Sequence, residues 1–322
     1  MPSETPSRLS ELVVAPGDGP AASLVSALTA AIVLTGRPCD RHAVAVVTGI
    51  AFHTSYCREA APGCRWNTHG LDAFLIEGAL RWGLELREMH PPDAAPLPTP
   101  PPEYDGHFRD SYMPFVEAAL SRGQPVLAWM GWPAPAERAW GVMTGMDATA
   151  GRCRGSTAMS GPWQVVMDSP PVAIYTIAGT TEPAHEPGAL FRQVAGQARC
   201  LLAGEIDTCH GIETGIRVLE RLAARVGESG RLAEDGAAGL VRVLQDKLAG
   251  CESAIAWLRG AGPSPGAPQG EIAEAWCADC ERQRELARAC LEEFPSAGTA
   301  AALRGIIEID TRIAEMLPSW NS

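Results

Sequence analysis

Apolar residues recur at helical spacing in the first third of the chain, and they predict three helices followed by a strand. The first helix covers Pro20–Thr35 and ends at the turn Gly36-Arg-Pro38. A short helix is predicted over His42–Ile50, and an amphipathic helix over Gly70–Trp82. Leu84–Met89 is then predicted to form a strand.

The middle of the chain has the pattern of a helix followed by three strands. A helix-like segment, Ser111–Ser121, precedes the predicted strands Gly123–Trp129, Ala139–Asp147 and Pro171–Ile177. This pattern favours a sheet of antiparallel strands with helices packed on it. The proline-dense segment His90–Glu103 is predicted to be an extended connector inside this domain.

From about Pro187 onward the pattern changes to long amphipathic helices without strands. The predicted helical stretches are Ile212–Val226, Leu240–Leu258, Ala273–Leu291 and Ala301–Leu317, separated by glycine- and proline-rich turns. Four or five such helices predict a bundle-like domain. We therefore predict an α+β domain over residues 1–180 and an all-α domain over residues 187–322.

Composition and charge narrow the classes of partner. The formal net charge of −12 argues against broad nucleic-acid binding and against attraction to anionic membranes, both of which need a basic surface. No stretch approaches the roughly 18 apolar residues that span a bilayer, and the polar segment Met1–Leu12 is not a signal peptide. We therefore expect a cytoplasmic protein, whose ten cysteines are mostly reduced.

Three short motifs in the first half suggest a known family. They are Thr48-Gly-Ile-Ala-Phe52, Gly123-Gln-Pro-Val126 and Trp140-Gly-Val-Met-Thr-Gly-Met-Asp147. In this order after the first helix, they resemble the papain-like N-terminal domain of butirosin-biosynthesis acyltransferase-type proteins. Those proteins are related to the bacteriocin-processing cysteine peptidases. The resemblance covers roughly residues 12–178 and implies a papain-like fold, with helices on an antiparallel sheet.

The chain departs from this family at the positions that carry its chemistry. The family places a nucleophilic cysteine at the start of the first helix, where the helix dipole and a histidine lower the thiol pKa. Here the first turn is Pro20-Ala-Ala-Ser23. The family's histidine begins the strand that in this chain begins with Trp140. The resemblance therefore implies the fold without the usual Cys–His pair.

A second Cys–His pair lies near the end of the first motif. His53 and Cys57 are four residues apart, so on a helix they would share a face and could activate a thiol or bind a metal. The alternative is a polar loop after a strand-like segment. In the catalytic interpretation Cys57 is the nucleophile, His53 or His42 is its base, and Asp147 orients the base.

No metal site and no cofactor are predicted. Cys277-Ala-Asp-Cys280 has no second cysteine pair to complete a zinc site, and His185 and His210 are the only histidines of the C-terminal half. Nucleotide-binding glycine motifs and the zinc-hydrolase motif are absent from the sequence.

Large aromatic residues predict a binding surface instead. Trp132 and Trp140 flank the loop Pro133-Ala-Pro-Ala136, at the rim expected for the cleft. Together with Ser23 and Phe52 they form the predicted ligand-binding set.

Three functional hypotheses follow from these patterns. The first is a degenerate papain-like protein that binds a small molecule or peptide in a bacterial biosynthetic pathway. The second is a cysteine-dependent acyltransferase or amide hydrolase with a relocated nucleophile. The third is a scaffolding protein whose helical domain supplies a partner surface or a homodimer surface.

Overall fold

The structure is a computed structural model. It describes residues 20–57, 71–88, 104–147, 151–161, 163–182, 187–206, 212–229, 234–261, 263, 268–294 and 298–318. Its helices and antiparallel strands make the protein α+β, which confirms the predicted class. The chain packs as two compact units. Unit 1 takes the described residues within 1–40 and 79–183, and unit 2 takes those within 41–60, 66–78 and 184–322.

Helices and strands are mixed in the first part of the chain, and helices dominate the last part. The helices are α1 (Pro20–Leu34), α2 (Arg41–Val47), α3 (Asp72–Leu80), α4 (Tyr104–His107), α5 (Met113–Ser121), α6 (Pro187–Ala203), α7 (Ile216–Ser229), α8 (Glu234–Ala261), α9 (Pro268–Glu292) and α10 (Thr299–Met316). The strands are β1 (Ser55–Cys57), β2 (Leu84–Glu88), β3 (Val126–Trp129), β4 (Trp140–Asp147), β5 (Arg152–Thr157), β6 (Val165–Val166), β7 (Ala173–Thr180) and β8 (Ile212–Thr214). A 3-10 turn spans Ile50–Phe52, and a π-helical turn, Phe108–Tyr112, joins α4 to α5.

Unit 1 is built on an antiparallel sheet with the strand order β2-β7-β3-β4-β5-β6. The register places Trp129 of β3 opposite Trp140 of β4, and Ala173 of β7 on the other side of Trp129. The predicted strands correspond to β2, β3, β4 and β7. By contrast, β5 and β6 were not predicted.

Helices cover both faces of this sheet. On one face Val126, Ala128, Met143 and Ile174 share a core cluster with residues of the π-helical turn and α5. On the other face the large side chains Trp129, Trp140 and Tyr175 pack together, and α1 lies against β3 and β4. Successive side chains of a strand point to opposite faces of the sheet. Since both faces are covered, all four residues of β3 are buried.

Unit 2 is mostly helical. The helices α7, α8, α9 and α10 pack around an apolar core whose members include Leu219, Leu244, Ala287 and Ile306. The short strands β1 and β8 pair antiparallel, with Tyr56 opposite Glu213.

The units interleave along the chain, whereas the predicted domains, 1–180 and 187–322, are consecutive. Helix α2 and the 3-10 turn lie in unit 2, where both pack against α8. Gly250 allows the α8 backbone to approach the turn, because a Cβ at this position would lie 2.1 Å from the carbonyl oxygen of Ala51. The described residues 41–57 therefore pack with the C-terminal helices.

No helix in the described ranges has the length and the apolar composition needed to cross a membrane.

Candidate functional site

Ser23 and Trp140 lie together in unit 1. Ser23 is in the first turns of α1, and its Oγ accepts a hydrogen bond of 2.9 Å from the backbone N–H of Trp140. Both residues are 0% exposed. The sequence predicts that these two positions face a cleft. In the structure they are joined by a buried hydrogen bond between the first helix and the strand β4.

The tryptophans of the predicted cleft rim are interior residues of unit 1. The Trp140 ring centroid lies 5.6 Å from that of Trp129 and 5.7 Å from that of Tyr175. Trp132 is 2% exposed, and its indole N–H donates to the carbonyl of Ala128 at 3.4 Å. Unit 1 contains a cavity of about 310 Å³ and unit 2 a space of about 10 Å³, and neither is lined by Trp132 or Trp140. Their role in ligand binding stays a prediction.

The predicted thiol site falls mainly in unit 2. His53 is buried and follows the 3-10 turn in an extended conformation, and Ser55–Cys57 is the strand β1. The four-residue spacing of His53 and Cys57 therefore does not place them on one helical face, because the chain between them is not helical. The side chain of Cys57 lies outside the described part of the structure.

The other members of the predicted set have separate surroundings. His42 Nδ1 lies 3.2 Å from Ser253 Oγ, a contact between α2 and α8. Phe52 is buried in unit 2, with its ring centroid 5.2 Å from that of Trp276. Asp147 ends β4 in unit 1, opposite Arg152 of β5. The predicted catalytic residues are thus divided between the two units.

Most of the described cysteines are poorly suited to act as nucleophiles. Burial raises the pKa of Cys39 and of Cys153 to about 12, with added repulsion from Asp40 and Glu117, respectively. The cysteines whose pKa is also raised are Cys200, Cys277, Cys280 and Cys290. A thiolate is the reactive form, so a raised pKa suppresses reactivity.

Unit 1 holds a cavity of about 310 Å³ that no sequence pattern predicted. Its floor is apolar and includes the buried residues Phe108, Cys153 and Met167. Its rim carries the exposed charged residues Asp105, Arg109, Arg152 and Asp168. Phe108 and Arg109 belong to the π-helical turn, a feature that often occurs at functional sites.

The rim is anchored by backbone contacts. The N–H groups of Asp168 and Ser169 both donate to the carbonyl of Gly131, at 2.8 and 3.3 Å. Gly131 has φ of +83°, and a Cβ there would lie 2.4 Å from the carbonyl oxygen of Ser169. Only glycine combines a readily adopted positive φ with the absence of a Cβ, so position 131 requires it. The loop that carries Asp168 is therefore held at a defined place.

These cavity residues come from the α4–α5 segment, from β5 and from the loop after β6. Each segment contributes only a few residues, and no spacing in the sequence connects them. The π-helical turn and the position of β5 bring them together.

Unit 2 contains a much smaller space of about 10 Å³ beside a buried polar network. Lys247 Nζ lies 2.6 Å from Asp310 Oδ2, and Gln283 Nε2 donates to Asp310 Oδ1 at 2.8 Å. Cys251 Sγ donates to Gln283 Oε1 at 3.0 Å. This volume is about that of one water molecule, so the network is structural and not a ligand pocket.

Among the described residues there is no group of three or more histidine, cysteine, aspartate or glutamate side chains that could hold a metal ion. No model of a known protein family matches the chain, and a search of curated proteins found no significant match. The fold defines the class as an α+β protein.

Proposed function

We propose that the protein binds a small amphipathic molecule in the unit 1 cavity and performs no covalent chemistry on it. The observation that carries the proposal is the cavity itself, with its volume of about 310 Å³, apolar floor and charged rim. Known ligand pockets begin at about 300 Å³ and combine apolar walls with a few placed polar groups. Arg109 and Arg152 suit an anionic group, and Asp105 and Asp168 suit a cationic one.

Ser23 and Trp140 lie outside the cavity and argue against papain-like thiol catalysis. The papain-like resemblance would place a cysteine in the first turn of the first helix, which here is Pro20-Ala-Ala-Ser23, and a histidine at the position of Trp140. Here Ser23 accepts a hydrogen bond from a backbone N–H, and an indole cannot act as a general base. On this proposal the protein is a degenerate papain-like protein, and the resemblance suggests a role in a bacterial biosynthetic pathway.

The thiol-dependent alternative depends on Cys57. The rate of alkylation at each cysteine tests it directly. The scaffolding alternative has no specific contact in its favour among the described residues.

A thermal-shift screen tests the binding proposal. Zwitterionic, anionic and neutral compounds with small apolar groups are screened, and a ligand at 100 times its Kd should stabilise the protein by about 2.7 kcal/mol. The double variant Arg109→Ala/Arg152→Ala should remove most of the shift. The matched control is Arg138→Ala, an exposed arginine that does not line the cavity.

Calorimetric titration then measures the Kd of each hit for the parent protein, the double variant and the Arg138→Ala control. The proposal is supported if zwitterions rank first and only the double variant loses affinity. It is rejected if no compound raises the Tm, or if the hits bind the double variant as tightly as the parent.

A further inference from the structure

Three sulfur atoms meet beside the unit 1 cavity, and two of them, in Met113 and Cys153, belong to residues that line it. Cys153 Sγ lies 3.6 Å from Met146 Sδ and 3.8 Å from Met113 Sδ. Met146 and Cys153 are cross-strand partners on β4 and β5, and Met113 is the first residue of α5. Cys153 is 3% exposed, and the two methionines are partly buried. We call these three residues the sulfur cluster.

The spacing of the sulfur cluster fits a shared metal ion. Metal–sulfur bonds are about 2.3 Å long, so ligands at trigonal or tetrahedral angles lie roughly 3.8–4 Å from one another. The two sulfur–sulfur distances from Cys153, 3.8 and 3.6 Å, fall at or just below this range.

The ligand chemistry selects a soft monovalent ion. One thiolate and two thioethers favour Cu(I), whereas thioethers are poor ligands for the harder divalent ions. The charge of Cu(I) cancels that of the thiolate, so the occupied site would be neutral. A neutral site suits the apolar surroundings of Cys153, where an uncompensated charge would be costly.

The cavity supplies an entrance to the cluster. Met113 and Cys153 both line it, and so does the buried residue Met167, which offers a further thioether. An ion that enters past the charged rim would meet the sulfur atoms at the floor.

We propose that Cys153, Met113 and Met146 bind one Cu(I) ion. In this step the S–H bond of Cys153 breaks, a sulfur–copper bond forms and the proton passes to solvent. Both thioethers donate lone pairs, and no electron is transferred. This site uses the cavity only as an entrance and does not depend on the small-molecule proposal.

Methionine methyl NMR tests the proposal in the intact protein. The nine methionines are labelled with 13C at the methyl group, and Cu(I) is added anaerobically with a competing chelator. The methyl signals of Met113 and Met146, assigned from Met113→Leu and Met146→Leu, should move together in one transition. The signal of Met143, buried in the same core cluster, is the internal control.

Metal-ligand variants provide the second measurement. Removing a residue that only hydrogen-bonds to a metal ligand typically lowers metal affinity by about 10–100-fold. Removing a ligand itself should have a larger effect, so Cys153→Ser should lower the affinity for Cu(I) by at least about 100-fold. Cys290→Ser is the matched control, because it removes a buried thiol from unit 2.

Copper could also bind at other thiols, and two results would overturn the proposal. Cys251 and Cys280 are in contact in unit 2, and copper bound there would leave the signals of Met113 and Met146 unchanged. Copper uptake without movement of these two signals rejects the site. Equal movement on adding Zn(II) rejects the selectivity for a soft ion. The copper titration is read in the parent protein, so misfolding of Cys153→Ser does not affect it.

Discussion

Ser23 and Trp140 are joined by a buried hydrogen bond of 2.9 Å between a side-chain oxygen and a backbone N–H. This bond connects α1 to the first residue of β4. A polar group that satisfies the backbone of a neighbouring strand contributes to stability. The relationship therefore favours a structural role for Ser23.

Ser23→Ala should destabilise the protein by about 1–3 kcal/mol, because it leaves the N–H of Trp140 buried without its acceptor. Ser26→Ala is the matched control on the same helix. The hydroxyl of Ser26 is buried and has no hydrogen-bond partner in the described part of the chain, so its removal should be neutral or stabilising. Urea unfolding of both variants measures the difference. Equal losses of stability would contradict the structural role.

The period of the apolar residues located most of the helices. It did not delimit α6, and it predicted a helix from Ile212, where the strand β8 begins. The first helix was predicted at Pro20–Thr35 and is observed at Pro20–Leu34. By contrast, β5 was not predicted, because Arg152–Thr157 has a single large apolar residue in six positions, Cys153. Its place in the sheet depends on pairing with β4, which no local pattern reveals.

The candidate sites were less predictable than the fold. The sequence predicts that Trp140 lines a ligand-binding cleft. A large aromatic residue, however, is equally typical of a cleft wall and of a buried core. Full burial is decided by α1, which packs on β4 from over 100 residues away in the chain. The cavity also depends on tertiary packing. Arg109 and Arg152 line it together because α5 packs on the sheet. Tertiary contacts of this kind leave no periodic signal.

Iodoacetamide at pH 7.5 should label Cys39 and Cys153 very slowly. Burial raises the pKa of both thiols to about 12, so only about one molecule in 10⁴ or fewer carries the reactive thiolate. Sub-stoichiometric labelling followed by peptide mass spectrometry gives the rate at each cysteine, and denatured protein is the control. Cys57 as the single fast site would support the thiol-dependent alternative. Fastest labelling at Cys153 would contradict the burial argument.

Asp246→Asn should stabilise the protein above neutral pH. Burial raises the pKa of Asp246 from 3.8 to about 7, and attraction to Arg242 only partly opposes this. Between these pH values the folded state binds the proton and the unfolded state does not, so unfolding becomes easier as pH rises through about 7. The gain in the variant should grow from near zero at pH 3 to roughly 2–4 kcal/mol at pH 8.

Urea unfolding of the parent and the Asp246→Asn variant from pH 3 to pH 8 measures this difference. The measurement at pH 3 is the internal control, because the aspartate is then protonated in both states. A stability difference that is the same at every pH would show that the substitution acts through packing and not through the proton.

Lys247, the only lysine of the chain, should be essential to the stability of unit 2. Its Nζ lies 2.6 Å from Asp310 Oδ2, and the two side chains are 4% and 0% exposed. Lys247→Met would leave the Asp310 carboxylate buried with Gln283 as its described hydrogen-bond donor, so unfolding should become easier by about 3–5 kcal/mol.

A double-mutant cycle separates this pair from the general effect of the substitutions. Lys247→Met/Asp310→Leu should cost less than the sum of the two single changes, because the double variant buries no unpaired charge. Arg288→Ala is the control, since Arg288 and Glu252 form an exposed pair at 3.5 Å that should contribute less than about 1 kcal/mol. If Lys247→Met costs no more than Arg288→Ala in urea unfolding, the buried pair does not stabilise unit 2.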